Sequence, residues 1–402
     1  MIIRRNSVDK VIILGTLLGV ASLFLGWLTL RSNRLASGSS HDLWDSFGFV
    51  GAAIVAVLWL SVLPFCVRRS GRSAILRIAP GLLATAIVAV VLILTGAAAR
   101  RLLAGADTAA RVSIGGGPWL SVAGASIVAY ASSRSVSGWT RQLIAWAGLS
   151  CALLILAAGL LNSVSVVVEY EGYRDRFWAE VIQHVRLTAI SVAVATALGV
   201  ALGIWANRSR IARGPVLFLS GAVQTIPSLA LFGLIIAPLS ALSFSYPLLR
   251  NIGIRGIGAA PAVIALTIYS LLPIVQNTYV GISRVDAVAL DAGRGMGMSR
   301  WQLLQKIQAP LAAPLVLEGI RIASVQAVGL TTVAAIVGAG GLGWFVFRGT
   351  GQAATDLIIL GAIPVIVLAM IVDGIMAVVV RLGTPKALRS PDSGDRREHD
   401  TA

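Results

Sequence analysis

The chain has 402 residues, of which 57% are hydrophobic and only 12% are charged, and its formal net charge is +16. About a quarter of the residues of an ordinary soluble protein are charged, so this composition excludes that class. A strongly basic soluble protein would be expected to bind nucleic acid. Here the Arg and Lys residues lie in short loops between long apolar stretches, where they act as topology signals. We therefore expect membrane lipid around the chain and no nucleic-acid partner.

The apolar stretches predict an all-α, polytopic membrane protein with about ten transmembrane helices. Each stretch has about 20 residues, enough to cross a hydrocarbon core of ~30 Å, and lipid cannot satisfy the free backbone groups of other structures. The first stretch follows two arginines as a signal peptide would, but it is too long for a signal h-region, so we expect an uncleaved helix. The predicted spans are 11–30, 48–67, 76–98, 113–132, 141–161, 181–206, 215–241, 258–282, 313–337 and 357–380.

The basic residues predict the orientation of the chain. With the N-terminus inside, the inside loops hold about twice as many Arg and Lys residues as the outside loops, as the positive-inside rule requires. This favours a cytoplasmic N-terminus and a cytoplasmic C-terminus. The loop 99–112 disagrees, because it carries Arg100, Arg101 and Arg111 on the predicted outer side.

An acidic and aromatic segment at 162–180 divides the chain. Five spans with few polar residues precede it, and five spans with more polar residues follow it. We predict an N-terminal transmembrane extension over 1–164 and a five-helix core over 165–385, with a cytoplasmic loop at 284–312. The tail 386–402 is expected to be disordered, because its sequence from Ser390 onward is polar and lacks large apolar residues.

One polar, helix-prone stretch interrupts the apolar core: LDAGRGMGMSRWQLLQKIQAP, from Leu290 to Pro310. Ser299 followed by Gln302 has the spacing of a capping box, which predicts a short helix starting at Arg300. Proline lacks the amide that would continue a helix, so we expect Pro310 to end it.

A second short helix is expected just before the first, from Asp286 to Arg294. Gly295 and Gly297 would supply the left-handed turn between the two. Met298 and Leu303 have the spacing of a hydrophobic staple. The later helix would carry an apolar face formed by Leu303, Leu304 and Ile307.

From these residues alone, two interpretations of the stretch stay open. It could lie on the lipid headgroups as an interfacial helix. It could instead dock a cytosolic partner, with its apolar face inserted into a groove.

The same stretch resembles the EAA loop of ABC importer permeases, in which Glu-Ala-Ala is followed after three residues by Gly and after nine more by Ile-x-Leu-Pro. Here these positions hold Asp291-Ala292-Gly293, Gly297 and Ile307-Gln308-Ala309-Pro310, so the Gly and Pro spacing matches and three residue types differ. The resemblance implies a coupling helix that sits in a cleft of an ATPase subunit. The implied coupling residues are Asp291, Ala292, Gly293, Gly297, Arg300, Trp301, Leu304, Ile307 and Pro310.

Further runs are similar to permeases of the glycine betaine/choline osmoprotectant importers. They are QTIPSLALFGLI (224–235), GMGMSRWQLL (295–304) and GAGGLGWFVFRG (338–349), and the similarity covers about 181–380. The five extra N-terminal spans are similar to the longer Yeh-type permease of that group. The resemblance implies a permease in the bacterial inner membrane for a quaternary-ammonium solute such as glycine betaine.

The resemblance also implies partners: a second permease protomer, identical or paralogous, a cytosolic ATPase dimer and an extracytoplasmic substrate-binding protein. One alternative is an importer of the same architecture for another solute, such as an amino acid. A different class is an ion-coupled secondary transporter, which should show inverted repeats. We identify no such repeat in the sequence.

The chain is not expected to be an enzyme or to hold a cofactor or a metal. None of its lysines follows the glycine pattern of a Walker A motif, so ATP hydrolysis would belong to a separate subunit. The run Gly338–Gly343 matches G-x-G-x-x-G formally, but it follows a membrane helix rather than a strand, so we interpret it as a turn. The three histidines, including His184, are scattered and form no ligand or triad pattern.

Charged residues inside the predicted spans are costly in lipid and are expected to face protein. Arg321 and Asp373 each lie about eight residues, or ~12 Å, from the cytoplasmic end of their spans, and we predict that they pair. Glu318 competes for Arg321 from the preceding turn. The pair could serve packing or gating.

Polar residues inside the spans could line a translocation path or could only hold helices together. The candidates for the path are Gln224, Thr225, Ser228, Gln276, Asn277 and Gln326.

Overall fold

The computed structural model describes residues 7–34, 36–68, 74–251 and 253–385. The tail that is predicted to be disordered, 386–402, lies outside the described residues. The chain divides into two compact units. Unit 1 is Met1–Tyr173 with Gly351–Leu357, and unit 2 is Arg174–Thr350 with Ile358–Ala402.

Helices dominate both units, which confirms the predicted all-α membrane class. In unit 1 they are α1 (Lys10–Ser22), α2 (Leu43–Val62), α3 (Ala74–Leu103), α4 (Gly116–Ser133), α5 (Trp139–Ala157) and α6 (Ser165–Gly172). The remaining helices are α7 (Arg174–Arg208), α8 (Arg210–Thr225), α9 (Ser228–Ser245), α10 (Pro247–Asn251), α11 (Ala259–Ser283), α12 (Ala287–Gly295), α13 (Arg300–Leu303), α14 (Ala309–Thr331), α15 (Gly343–Gly351) and α16 (Thr355–Gly383).

The helix count agrees with about ten predicted spans. Within the described ranges, eight helices are long and apolar enough to cross a membrane. The apolar α1, with 13 residues, and α4, with 18 residues, correspond to the other two predicted spans.

Short strands were not predicted. Strands β2 (Leu28–Arg31), β3 (Ser39–His41) and β5 (Arg111–Ile114) form an antiparallel sheet in the order β3-β2-β5, and β1 (Ser7–Val8) pairs with β4 (Val67–Arg68). The predicted span 11–30 is therefore wrong after residue 22. An apolar run by itself does not distinguish a strand from the end of a helix.

The core of unit 1 forms where small residues let helices approach closely. Gly15 of α1 and Gly124 of α4 face each other, and a Cβ on either glycine would meet the other's carbonyl oxygen at 2.6–2.7 Å. Trp59 is fully buried beside them and donates its Nε1–H to Ser121 Oγ at 3.0 Å. Close packing of this kind is typical of membrane helices.

Arg101, one of the arginines in the loop that disagreed with the charge rule, has local partners. Helix α2 is kinked at Gly48, whose φ of 69° is not helical. The kink leaves carbonyls without helical partners, and Arg101 Nη2 donates to the carbonyl oxygens of Asp45 and Ser46 at 2.9 and 2.6 Å. Arg101 therefore has a structural role and is a poor topology signal.

Buried charges meet near the sheet of unit 1. Glu169 of α6 is buried, and Arg34 Nε lies 3.2 Å from its Oε1 atom. Burial raises the pKa of the Glu169 carboxyl, while Arg34 and Arg111 act in the opposite direction. Ser113 of β5 donates its hydroxyl to the buried Asp356 carboxylate.

Unit 2 covers most of the segment 165–385 that the sequence predicts as the core. Helices α7, α11 and α14 pack together, and the predicted span 215–241 is divided into α8 and α9 by a break at Ile226 and Pro227. The break follows from proline, which disfavours a helical conformation at the preceding residue. The predicted span 313–337 is also shortened, because α14 ends at Thr331 and a 3₁₀ turn, Val333–Val337, follows.

Candidate functional site

The polar stretch between α11 and α14 forms two short helices at a turn, and we call residues 286–308 the hook. The predicted capping box is confirmed. Ser299 Oγ accepts from the Gln302 amide at 3.3 Å, and Gln302 Oε1 accepts from the Ser299 amide at 2.8 Å. Because both orphan amides are satisfied, α13 starts at Arg300 as predicted.

The turn of the hook is made by Gly297. Its φ is +77°, in the left-handed region that favours glycine. The Met298 amide bonds back to the Gly293 carbonyl at 3.1 Å, which closes the end of α12. The predicted glycine turn is therefore confirmed at Gly297. Gly295, the other glycine expected there, is the last residue of α12.

The prediction that Pro310 ends the helix that starts at Arg300 is wrong. Residues Leu304–Gln308 form a π-helical turn that joins α13 to α14. The continuous helix runs from Arg300 to Thr331, 32 residues. Pro310 falls in the first turn of α14, where a missing amide costs little because the wider π turn has already shifted the hydrogen-bond ladder.

The leucines of the predicted apolar face are not exposed, as they would be if this face entered a groove of a partner protein. Leu303 and Leu304 are 7% and 5% exposed, and Leu304 packs in a core with Ile282 and Ala312. The face therefore holds the hook against its own helices. The large apolar side chains that stay exposed in the hook are Val288 at 74%, Met296 at 70% and Trp301 at 57%.

The packing around Gly293 explains why glycine stands at the position where the EAA pattern has its second alanine. A Cβ at this position would lie 2.6 Å from Leu303 Cδ2 and 2.7 Å from Ile307 Cδ1. The two helices of the hook therefore approach each other at Gly293, where even alanine would require these side chains to move.

The acidic position of the hook faces solvent. Asp291 Oδ1 accepts from Arg294 Nη1 at 2.6 Å, and both side chains are about two-thirds exposed. Ala292 and Arg300 are exposed as well. The surface of the hook thus combines apolar side chains with a short, accessible ion pair.

The predicted pair of intramembrane charges is present. Arg321 donates from Nε to Asp373 Oδ1 at 2.7 Å and from Nη2 to Oδ2 at 2.9 Å. Glu318 Oε1 lies 3.3 Å from Arg321 Nη1. The bidentate geometry links α14 to α16 and pairs both charges within the predicted spans, where the two side chains are 28% and 45% exposed.

Two path candidates meet next to the α8–α9 break. Gln326 of α14 donates from Nε2 to Gln224 Oε1 at 3.2 Å, and Gln224 Nε2 donates to the Tyr269 carbonyl at 2.7 Å. The Tyr269 hydroxyl donates to the Ile226 carbonyl, which the break leaves outside the helical ladder. Sequence reasoning missed Tyr269, since a single tyrosine in an apolar span gives no signal of its role.

The other path candidates bond within their own helices or are exposed. Thr225 donates to the Ala222 carbonyl at 2.7 Å, and Asn277 donates to the Pro273 carbonyl at 2.8 Å. Ser228 begins α9, and Gln276 is exposed on α11. Neither of the two hydrogen bonds joins these residues to the Gln224–Gln326 pair.

Eight long apolar helices within the described ranges define the class of a multi-pass membrane protein, and comparison with known proteins gives the family. Residues 195–382 match the binding-protein-dependent transport system inner membrane component family. Residues 7–167 match the N-terminal domain of the ABC transporter permease YehY.

The chain is 38% identical over 207 residues to the glycine betaine/carnitine/choline transport system permease protein OpuCB of Bacillus subtilis, covering 52% of this chain and 88% of that protein. It is 39% identical over 207 residues to the osmoprotectant import permease protein OsmW of Salmonella typhimurium, covering 52% and 91%. A solved chain of the MetNI methionine ABC transporter is 21% identical, with coverage of 52% and 96% and a TM-score of 0.45.

The chain therefore belongs to the family of binding-protein-dependent transport system inner membrane components. It is a multi-pass permease subunit of an ABC importer, and the resemblance seen in its sequence is confirmed. Permease subunits of this family are not themselves enzymes.

Proposed function

We propose that this permease imports a quaternary-ammonium osmoprotectant, with glycine betaine, choline and carnitine as the candidate solutes. The observation that carries the proposal is the 38% identity to OpuCB over 88% of that protein. The family match over residues 195–382 includes the hook and both Gln224 and Gln326. The alternative solute class, amino acids, has no comparable support among the relatives described above.

The chemistry of the path fits a quaternary ammonium ion. The trimethylammonium group that these solutes share has no N–H donor, and neutral dipoles attract it less tightly than a fixed counter-ion would. Conduction requires sites that attract a solute without trapping it. The amides of Gln224 and Gln326 and the backbone at Tyr269 supply neutral dipoles of this kind.

The hook is proposed to dock a cytosolic ATPase dimer. Its exposed apolar side chains, Val288, Met296 and Trp301, suit insertion into a cleft, and the Asp291–Arg294 pair beside them is accessible. Movement of the hook would reach the core directly, because α13 continues through the π turn into α14. Binding to lipid headgroups is the competing role for the same surface.

The remaining assignments follow from this docking. A hook in the cytosol implies cytoplasmic N- and C-termini, an extracytoplasmic binding protein on the other side and a second permease protomer, identical or paralogous. Residues 1–164 form the proposed N-terminal extension, and 165–385 form the proposed core. The Arg321–Asp373 pair, with Glu318, is proposed to couple α14 to α16 during transport.

Uptake by the reconstituted complex tests the function. Proteoliposomes with the permease, its ATPase and its binding protein are supplied with labelled glycine betaine, and choline, carnitine and methionine are added as competitors. We expect uptake that requires ATP and the ATPase and that the first two competitors reduce. Competition by methionine alone would contradict the solute class, and uptake driven by an ion gradient without ATPase would contradict the mechanism.

A further inference from the structure

The glycine-rich run after α14 lies at the end of unit 2 opposite the hook. The continuous helix from Arg300 to Thr331 has 32 residues and is about 48 Å long at ~1.5 Å per residue. The hook is at its start, and the 3₁₀ turn Val333–Val337 with the loop that follows is at its end. We call residues 338–342 the far loop.

One face of α7 holds the far loop through its backbone. Glu180 Oε2 accepts from the Gly341 amide at 2.6 Å, and His184 Nδ1 accepts from the Leu342 amide at 3.2 Å. Gln183 Nε2 donates to the Ala339 carbonyl at 2.9 Å. The three side chains come from positions i, i+3 and i+4, which share one face of a helix.

His184 also connects the far loop to α14. Its Nε2 atom lies 2.9 Å from the Val328 carbonyl oxygen, which can only accept. The ring therefore donates from Nε2 and accepts at Nδ1, which defines one neutral tautomer. Its side chain is fully buried. A single imidazole thus joins α7, α14 and the far loop.

The far loop uses glycine because α7 approaches so closely. Gly340 and Gly341 have φ of +79° and +88°. A Cβ on Gly340 would lie 2.9 Å from Glu180 Oε2, and one on Gly341 would lie 3.2 Å from His184 Nδ1. The formal G-x-G-x-x-G match is therefore a structural turn shaped around Glu180 and His184.

The far loop completes a layer of buried apolar side chains. This layer lies next to the Gln224–Gln326 pair. Ala339 of the loop and Val337 before it pack in one buried cluster with Phe232, which lies just beyond the α8–α9 break, and with Tyr269. The Tyr269 carbonyl accepts from Gln224, so the polar pair begins where the apolar cluster ends. A layer of this kind blocks a polar solute and water.

We propose that Glu180 and His184 are positioning residues that hold the far loop as the extracytoplasmic seal of the translocation path. The proposal rests on the proposed path through Gln224 and Gln326. Neither residue contacts the solute. They fix the backbone that keeps Val337 and Ala339 in the apolar layer. In each transport cycle, the hydrogen bonds from Glu180 and His184 to the far loop would have to break and form again.

The test compares truncated, conservative and control variants of the full complex in proteoliposomes and nanodiscs. Glu180→Ala and His184→Ala remove the acceptors, and Glu180→Gln and His184→Gln keep an amide oxygen that can replace them. Asp175→Ala removes an exposed carboxylate from the same helix and is the matched control. Uptake, ATP hydrolysis without binding protein, and amide exchange of peptide 338–343 are measured.

We expect both alanine variants to assemble, to lose about tenfold in uptake and to exchange the Gly341 and Leu342 amides about tenfold faster, because each lost acceptor frees a buried amide. Hydrolysis is expected to persist or rise, which marks uncoupling. The glutamine variants should recover most of the coupling, and the control should match the wild type.

Parallel loss of uptake and hydrolysis, without rescue by glutamine, would overturn the seal and indicate a purely structural role. Unchanged amide exchange in the alanine variants would overturn it as well. If the wild-type complex transports no quaternary-ammonium solute, the proposed solute fails. The seal is then still decided by amide exchange and hydrolysis, which need no solute.

Discussion

The two ends of the long α13–α14 helix are both shaped by glycine turns, and they differ in what surrounds them. At the hook, a Cβ on Gly297 would meet nothing within 4 Å. At the far loop, a Cβ on Gly340 or Gly341 would press against Glu180 or His184. One end is a free turn with exposed apolar side chains, suited to being moved by a partner. The other is held by buried hydrogen bonds. We propose that the hook is the input end and the far loop the closing end.

The largest expected effect comes from breaking the input end. Gly297→Val puts a β-branched residue at φ +77°, which costs roughly 1–3 kcal/mol of local strain and should reshape the hook. We expect uptake to fall by about tenfold or more, with normal insertion into the membrane. The measurement is ATP-dependent uptake at equal amounts of assembled complex. Gly295→Ala, a change within α12 with open space around it, is the control and should transport normally.

Arg321→Gln and Asp373→Asn each remove the ion pair that joins α14 to α16. Arg321→Gln leaves Asp373 without its bidentate partner, and Asp373→Asn leaves Arg321 with only the longer contact to Glu318. We expect lower uptake and a lower melting temperature for both single variants. The exchanged pair, Arg321→Asp with Asp373→Arg, should regain part of both. Additive losses in a double-mutant cycle would mean that the pair is not coupled.

A smaller effect is expected from Gly293→Ala, which restores the residue of the EAA pattern. The added methyl meets the ends of Leu303 and Ile307, and overpacking of this size costs about 1 kcal/mol when side chains can shift. We expect uptake to fall severalfold. Uptake equal to the wild type would mean that the close approach at Gly293 is not needed.

The smallest effect is expected from Asp291. The Asp291–Arg294 pair is exposed, so its loss in Asp291→Asn should change stability by less than about 1 kcal/mol. Asp291→Glu keeps the charge and restores the family residue. If the hook docks the ATPase, binding of the ATPase by detergent-solubilised permease should weaken in the first variant and not in the second. Equal binding by both would remove Asp291 from the docking surface.

Local signals in the sequence predicted the turn and the helix start of the hook correctly. They did not predict that α13 continues into α14 at Pro310. The capping box at Ser299 and the turn at Gly297 depend on neighbouring residues, so they could be read from the sequence. The junction at Pro310 could not, because the π turn begins at Leu304, which packs against Ile282 and Ala312, and a local pattern does not reveal such packing. The Arg321–Asp373 pair was predictable because buried charges in lipid need partners.

The far loop shows the limit of that approach. His184 and Glu180 gave no pattern of their own, and their partners are backbone amides about 160 residues later in the chain. Backbone groups of any residue can serve this role, so no residue type marks the contact. The short strands were missed for a related reason, since apolar residues before β2 continue the pattern of α1.

The central claim is that a change at the hook reaches the far loop through α14. The most direct measurement is amide exchange of Gly341 and Leu342 in the assembled complex, with and without ATP, for the wild type and Gly297→Val. We predict that ATP changes the exchange of these two amides in the wild type and leaves it unchanged in the variant. The same ATP-dependent change in both proteins, or none in the wild type, would contradict the account.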